Sequence, residues 1–166
     1  VGGGDALVLM PTGGGKSVCY QVPALVRPGM GVVVSPLIAL MQDQVAKLAE
    51  AGIAAEQFNS AVARADQEAS LERVASGQSG IVFATPERLS DPTFIAALAS
   101  RRIALLVVDE AHCISQWGHD FRPAFLEIGA AMQALGNPPL LARTATAPAD
   151  VVGDIRRQLG RPRMHV

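Results

Sequence analysis

A chain of 166 residues, 49% apolar and 17% charged, is long enough to bury a core and too apolar to remain disordered. Its formal net charge of −1 excludes a global basic field, so any nucleic-acid partner has to be met by a local face. The longest strongly apolar run, Ile103 to Val108, is too short to cross a bilayer.

The chain starts abruptly, without an initiator Met, and reads as a fragment lacking sequence on its amino side. A first strand is expected over Ala6 to Met10 and a first helix from about Lys16 to Val26, ended by Pro28-Gly29. Gly31 to Ser35 has the continuous apolar character of a central parallel strand covered on both faces. Leu37 to Ala51 reads as a helix with Leu37, Leu40, Met41, Val45 and Leu48 near one face and Gly52 as its stop. Ile53 to Phe58 is a weaker strand, and Asn59-Ser60 is placed to cap a polar helix over Val62 to Ser76. Ser79 to Ala84 is the next strand. Asp91-Pro92 opens a helix over Thr93 to Ser100. Ile103 to Val108 is the clearest strand of all. Pro123 to Leu135 reads as helix, Leu140 to Thr144 as a last strand, and Ala149 to Leu159 as a last helix. This alternation implies right-handed βαβ crossovers and a mostly parallel sheet between two helix layers, with ligands beyond the carboxyl ends of the strands.

The first strand runs into Pro11-Thr12-Gly13-Gly14-Gly15-Lys16-Ser17. Glycines let successive amide N–H groups turn toward one anion, and the following helix adds its positive dipole end. In such a loop Lys16 supplies a mobile charge for the β and γ phosphates and Ser17 a hydroxyl for magnesium. Thr12, Gly13, Gly14, Gly15, Lys16 and Ser17 are therefore the candidate phosphate-binding residues. The usual P-loop pattern begins with a glycine separated by four residues from its Gly-Lys pair, and that place is Met10. Taken alone, the stretch would also suit a glycine-rich turn between a strand and a helix.

Val108 is followed by Asp109-Glu110-Ala111-His112. A carboxylate at the end of a buried strand, in a chain that carries a P-loop, is where magnesium is held. Asp109 is assigned that role, through water, and Glu110 that of a general base on the attacking water. His112 can hydrogen-bond in either tautomer and link this side to another surface. Strand ends also carry plain solvated acids; the upstream P-loop is what favours the metal reading. Cys19 and Cys113 match no metal-ligand spacing and suit buried apolar positions or free thiols in a reducing compartment. With no charged-then-apolar leader in view, a cytosolic location is expected by default. His119 and His165 read as surface or structural.

Together these residues carry a resemblance. Pro11 to Ser17 with Asp109-Glu110-Ala111-His112 resembles the superfamily 2, DEAH-box helicases. Cys113-Ile114-Ser115-Gln116-Trp117-Gly118-His119-Asp120-Phe121-Arg122-Pro123 is similar to the aromatic-rich loop of the RecQ DNA helicases. Ser35 to Val45, Thr85-Pro86-Glu87-Arg88-Leu89 and Thr144-Ala145-Thr146-Ala147 fall in that family's order. The resemblance runs from Asp5 to the last helix. It implies a RecA-like P-loop NTPase domain, the first of two motor domains, with the second absent from this chain. It implies ATP and Mg2+ as cofactors, ATP-driven 3′-to-5′ unwinding of duplex DNA in repair and recombination, and single-stranded and partly duplex DNA as partners. It would place the protein on the nucleoid if bacterial.

By position, the resemblance makes Lys16, Asp109 and Glu110 catalytic. It assigns Ser17 and Asp109 to the metal, and Ser35, Pro36, Thr85, Arg88, Trp117, Phe121 and Arg122 to DNA. His112, Gln116, Thr144 and Thr146 would couple the two sites. The chemistry of the loop is compatible, because aromatic faces stack on unpaired bases without regard to sequence. Trp117 and Phe121 would equally suit a core beneath a long loop, Arg88 a solvated surface, and Ser35 and Thr146 helix caps.

The chain departs from the family pattern at Arg143, where an apolar residue usually precedes Thr-Ala-Thr-Ala; a charge near the end of a buried strand is costly unless paired. The upstream segment that reads adenine is absent, as are the arginine finger, zinc-binding and winged-helix regions. Two other classes of protein compete with this reading. One is a nucleic-acid-binding or regulatory module with a vestigial nucleotide site, against which Lys16, Ser17, Asp109 and Glu110 all stand intact. The other is a P-loop phosphotransferase or GTPase, for which no Asn-Lys-x-Asp-like segment or arginine-rich lid is found.

Overall fold

The computed structural model describes residues 4–11, 15 and 17–166. Six strands form one sheet: β1 (Ala6–Leu9), β2 (Met30–Val34), β3 (Ala55–Phe58), β4 (Ile81–Ala84), β5 (Ile103–Val108) and β6 (Leu140–Thr144). Their spatial order is β1-β6-β5-β2-β4-β3, and every pairing is parallel. The helices are α1 (Val18–Val26), α2 (Ile38–Glu50), α3 (Arg64–Ala75), α4 (Pro92–Ala99), α5 (Glu127–Ala134) and α6 (Ala149–Gln158).

Alternate residues of the central strands feed two cores. Leu105 and Val107 of β5, with Val33 of β2 and Phe83 of β4, pack under Tyr20 and Ala24 of α1 and Met41 and Leu48 of α2. Leu106, Val108, Val32, Val34 and Val82 pack on the other face against Val74, Phe94, Leu98, Ile128, Met132, Val151 and Ile155 from α3 to α6, and Phe125 just before α5. A strand buried on both faces has no polar positions to alternate, which is why β2 and β5 read as unbroken apolar runs. Gly31 is required where α1 crosses β2, since a Cβ there would lie 2.6 Å from that of Ala24.

Several boundaries differ from the sequence reading for local reasons. The polar helix starts at Arg64, and no side chain caps it. Asn59 is fully buried and instead accepts from the Ala61 amide at 2.9 Å, closing a turn ahead of the helix. Pro123–Leu126 is a turn of 3-10 helix, and the α-helix proper begins at Glu127. Leu37 precedes α2 and stays 42% exposed. Asp91 does open α4, its Oδ1 accepting from the amides of Thr93 at 2.9 Å and Phe94 at 3.3 Å.

Because all strands run the same way, their carboxyl ends share one edge. Met10, Ser35, Thr85, Asp109 and the Thr144–Thr146 segment all follow strand ends on that edge.

Candidate nucleotide site and nucleic-acid face

β6 lies between β1 and β5, with Leu9 opposite Thr144 and Val108 opposite Ala142. The Met10 amide donates to the Thr144 carbonyl at 3.0 Å, and the Asp109 amide to the Val34 carbonyl at 2.8 Å. Both strand exits therefore open onto one crevice. A cavity of about 10 Å³, the size of a single water or ion, is lined there by Met10, Asp109, Glu110, Arg143, Thr144 and Ala145. Of the expected phosphate-loop residues, Thr12, Gly13, Gly14 and Lys16 lie outside the described residues. Gly15 has a φ of +94°, a conformation that suits glycine, and Ser17 stands immediately before α1, accepting from the Tyr20 and Gln21 amides at its carbonyl.

Asp109 is buried. Its Oδ1 accepts from the Glu110 amide at 2.9 Å and from Arg143 Nε at 2.6 Å. Its Oδ2 has one long contact, with the Ser35 hydroxyl at 3.4 Å. The charge that looked costly at position 143 is thus paired. The pairing follows from register: Val107 is opposite Leu141, and two residues further along both strands the carboxylate and the guanidinium meet on the α1 side. The Arg143 guanidinium also lies 5.4 Å above the Tyr20 ring. Burial pushes the Tyr20 hydroxyl up to about 12, with Arg143 opposing and Asp109 reinforcing the shift.

Glu110 occupies the left-handed region at φ 52°, ψ 45°, a conformation that costs an ordinary residue on the order of 1 kcal/mol or more and clusters at functional sites. It turns the carboxylate toward His112, whose Nδ1 lies 3.3 Å from Glu110 Oε2 and 2.7 Å from Thr144 Oγ1. Thr144 Oγ1 also lies 3.3 Å from the Thr146 carbonyl, and on the other side of the ring His112 Nε2 lies 3.6 Å from Asp120 Oδ2. A connected run leads from Glu110 through His112 to Thr144 and Thr146.

That run ends at a groove of about 320 Å³ lined by His112, Trp117, His119, Asp120, Thr146 and Pro148, among others. Trp117 is 75% exposed and so is no core residue. Phe121 is half-buried, and Arg122 and Gln116 are exposed. The loop is pinned at its base: the Gln116 amide donates to buried Asp154 at 3.2 Å, and the Arg122 amide to the Cys113 carbonyl at 2.9 Å. Burial pushes the Cys113 thiol up to about 11. Ser35 is buried, its hydroxyl accepting from the Leu37 amide at 3.3 Å, and Pro36 beside it is half-buried. Thr85 is buried at the end of β4. Arg88 pairs with Asp91 at 3.1 Å and lies over Phe94 at 5.8 Å.

Sequence reasoning missed Arg143 and Tyr20 as members of this site. The usable signal was Arg143 itself, a cation in an apolar strand, but its partner could not be named without knowing that β6 adjoins β5.

The donors on this edge, a carboxylate and hydroxyls, are hard oxygens of the kind that magnesium takes. Among the described residues no three His, Cys, Asp or Glu side chains converge into a cage, and Mg2+ characteristically uses one or two protein oxygens and keeps its waters. Asp109 Oδ2, with only its long Ser35 contact, retains the capacity for that role.

A six-stranded, all-parallel sheet between helix layers is the RecA-like class of fold. The fold is shared with a solved structure of the DUF1998 helicase MrfA bound to DNA and AMPPNP, with a TM-score of 0.72 and 18% identity over 99% of this chain and 25% of that one. The family model for DEAD/DEAH box helicases matches residues 1–155, and the chain belongs to that family. It is homologous to RecQ DNA helicases. It is 42% identical to the ATP-dependent DNA helicase RecQ of Haemophilus influenzae over 98% of this chain, and 47% identical to that of Bacillus subtilis over 91%. It spans 26% of the length of each of these relatives. No helix among the described residues is long and apolar enough to cross a membrane.

Proposed function

We propose that the chain is the first RecA-like, ATP-binding motor domain of a RecQ-type DNA helicase, which couples ATP hydrolysis to 3′-to-5′ unwinding in repair and recombination. The observation that carries this is the run Glu110–His112–Thr144–Thr146, which joins the carboxylates at the β5 exit to the groove beneath the exposed Trp117. A merely phosphate-binding domain has no need of such a link.

In this reading Thr12, Gly13, Gly14, Gly15, Lys16 and Ser17 cradle the phosphates, and Ser17 and Asp109 hold the magnesium side. Magnesium held by these two residues would supply positive charge against the negative charge that develops on the phosphates. Glu110 accepts the proton of the attacking water. His112 holds Glu110 and Thr144 in a fixed relation, so a shift in either end is felt by the other. Gln116 anchors the aromatic loop through its backbone. Trp117 and Phe121 offer faces to unpaired bases; Arg122 in the same loop, and Ser35, Pro36, Thr85 and Arg88 beyond the ends of β2 and β4, would meet the phosphate backbone. The buried Ser35 hydroxyl supports a second task, steadying Asp109. A second motor domain would close the site from outside this chain, so the chain alone hydrolyses ATP poorly and does not unwind.

Calorimetric titration of this chain with a nucleotide panel tests the reading. ATP and ADP should bind in a Mg2+-dependent manner that Lys16→Ala abolishes. Preference for GTP, or binding indifferent to Lys16, would point to the phosphotransferase or vestigial-site alternatives.

A further inference from the structure

The cation at position 143 has no assigned task in that mechanism, yet it occupies the most consequential position in the crevice. Its Nε holds Asp109 Oδ1 at 2.6 Å, and the two side chains are only 12% and 4% exposed. Its Nη1 is buried and finds no hydrogen-bond partner among the described residues. A guanidinium has five N–H donors, and a buried unmet donor is costly. Arg143 is therefore held where it is chiefly by the carboxylate's charge and the Tyr20 face, not by full satisfaction of its own hydrogen bonds.

We propose that Arg143 is a built-in counter-cation for Asp109, a positioning residue that holds this carboxylate when no metal is bound and competes with the divalent cation for it. The proposal rests on the reading of Asp109 as the carboxylate on the magnesium side. Arg143 holds Oδ1 and leaves Oδ2 to the metal, yet the two partners compete, because a unit positive charge so close to Asp109 opposes the arrival of a second cation. Metal entry weakens the hold on Arg143, and Arg143 sits on β6 directly before Thr144. Occupancy of the metal site is thus felt first by the strand that carries the Thr144–Thr146 link.

Competition is read from the magnesium dependence of variants that differ in charge at this position. Arg143→Leu and Arg143→Gln remove the charge, the second keeping a hydrogen-bonding side chain should the first fold badly; Arg143→Lys keeps it. Thermal melting of the chain is compared in EDTA and in MgCl2 without nucleotide. Both uncharged variants should melt lower in EDTA and regain more on adding Mg2+ than the wild type or Arg143→Lys does. Adding Asp109→Asn should remove the extra gain. In a second arm, the half-saturating Mg2+ for binding a fluorescent ADP should fall about tenfold in the uncharged variants, the scale on which a neighbouring unit charge shifts an ionisation equilibrium. Equal Mg2+ stabilisation of all variants, or an unchanged or raised half-saturating Mg2+, would overturn the proposal. A wild-type chain that binds no nucleotide would contradict the ATP-site reading, while the melting arm, run with the metal alone, would still decide the competition.

Discussion

Burying a lone charge is costly, so removing a buried carboxylate by itself would favour folding, and Asp109→Ala would then be harmless. The ion pair with Arg143 reverses that expectation. Asp109 is 4% and Arg143 12% exposed at the side chain, so neither can simply turn into water. Removing one partner of such a pair costs about 3–5 kcal/mol, because the other is left as an uncompensated buried charge. Loss of the carboxylate also leaves the Glu110 amide without its acceptor at 2.9 Å, worth about 1 kcal/mol. Allowing for relaxation around a small cavity, we expect Asp109→Ala to lose about 3–4 kcal/mol, a fall in Tm of roughly 10 °C for a chain of this size. Urea unfolding in EDTA, with Arg143→Leu and the double variant alongside, measures it. The double variant should recover about half of the loss, since neither charge then remains buried alone. An Asp109→Ala chain within about 0.5 kcal/mol of wild type would show that the pair does not hold this edge of the sheet, and would refute the reasoning.

Other expectations follow from the same packing logic. At Glu56, burial by itself would raise the carboxyl, but hydrogen bonds from Arg73 at 2.6 and 2.9 Å and from Ser70 at 2.7 Å, with the Arg73 charge and Ser79, outweigh it and hold the group below the usual carboxylate range. A depressed folded value means stability that is present above the unfolded carboxyl's range, near pH 4.3, and is lost as pH falls through the folded value. Glu56→Gln should therefore flatten the decline of stability between about pH 5 and 3, read from urea midpoints across that window. Trp117→Ala should leave stability within about 0.5 kcal/mol, as for an exposed side chain, yet cost about 1–3 kcal/mol of single-stranded DNA affinity. The quenching of the chain's single tryptophan by an oligonucleotide reports that contact in the wild type, and fluorescence anisotropy of a labelled strand compares the two proteins. Of the two cysteines, exposed Cys19 should alkylate readily in the native state. Cys113, buried and pushed up to about 11, should react only on unfolding, as mass spectrometry after pulse labelling would show.

Much of this was legible from the residues alone. Ile103–Val108 and Leu140–Thr144 stand where their apolar patterning put them, because turn residues bound both runs and no competing period interrupts them. The parallel sheet between two helix layers follows from the alternation of elements. What was not legible depends on neighbours in space. Asn59 looked like a helix cap because its residue type suits one, but its side chain is spent on a turn two residues on. Nothing in the sequence states that β6 lies between β1 and β5, and only that order sets Arg143 beside Asp109 and Thr144 beside His112. Lys16, which residue patterning singles out most strongly, lies outside the described residues with Thr12, Gly13 and Gly14, so its role is carried by sequence.

The central claim is that the crevice at the β1 and β5 exits is a working ATPase centre linked to a DNA face. Glu110→Gln in the protein that carries both motor domains tests it most directly, with DNA-stimulated ATP turnover and nucleotide affinity measured side by side. The account predicts that ATP still binds with near wild-type affinity while turnover falls by about two to four orders of magnitude, the span expected for loss of a general base. Turnover left untouched by the substitution would contradict it.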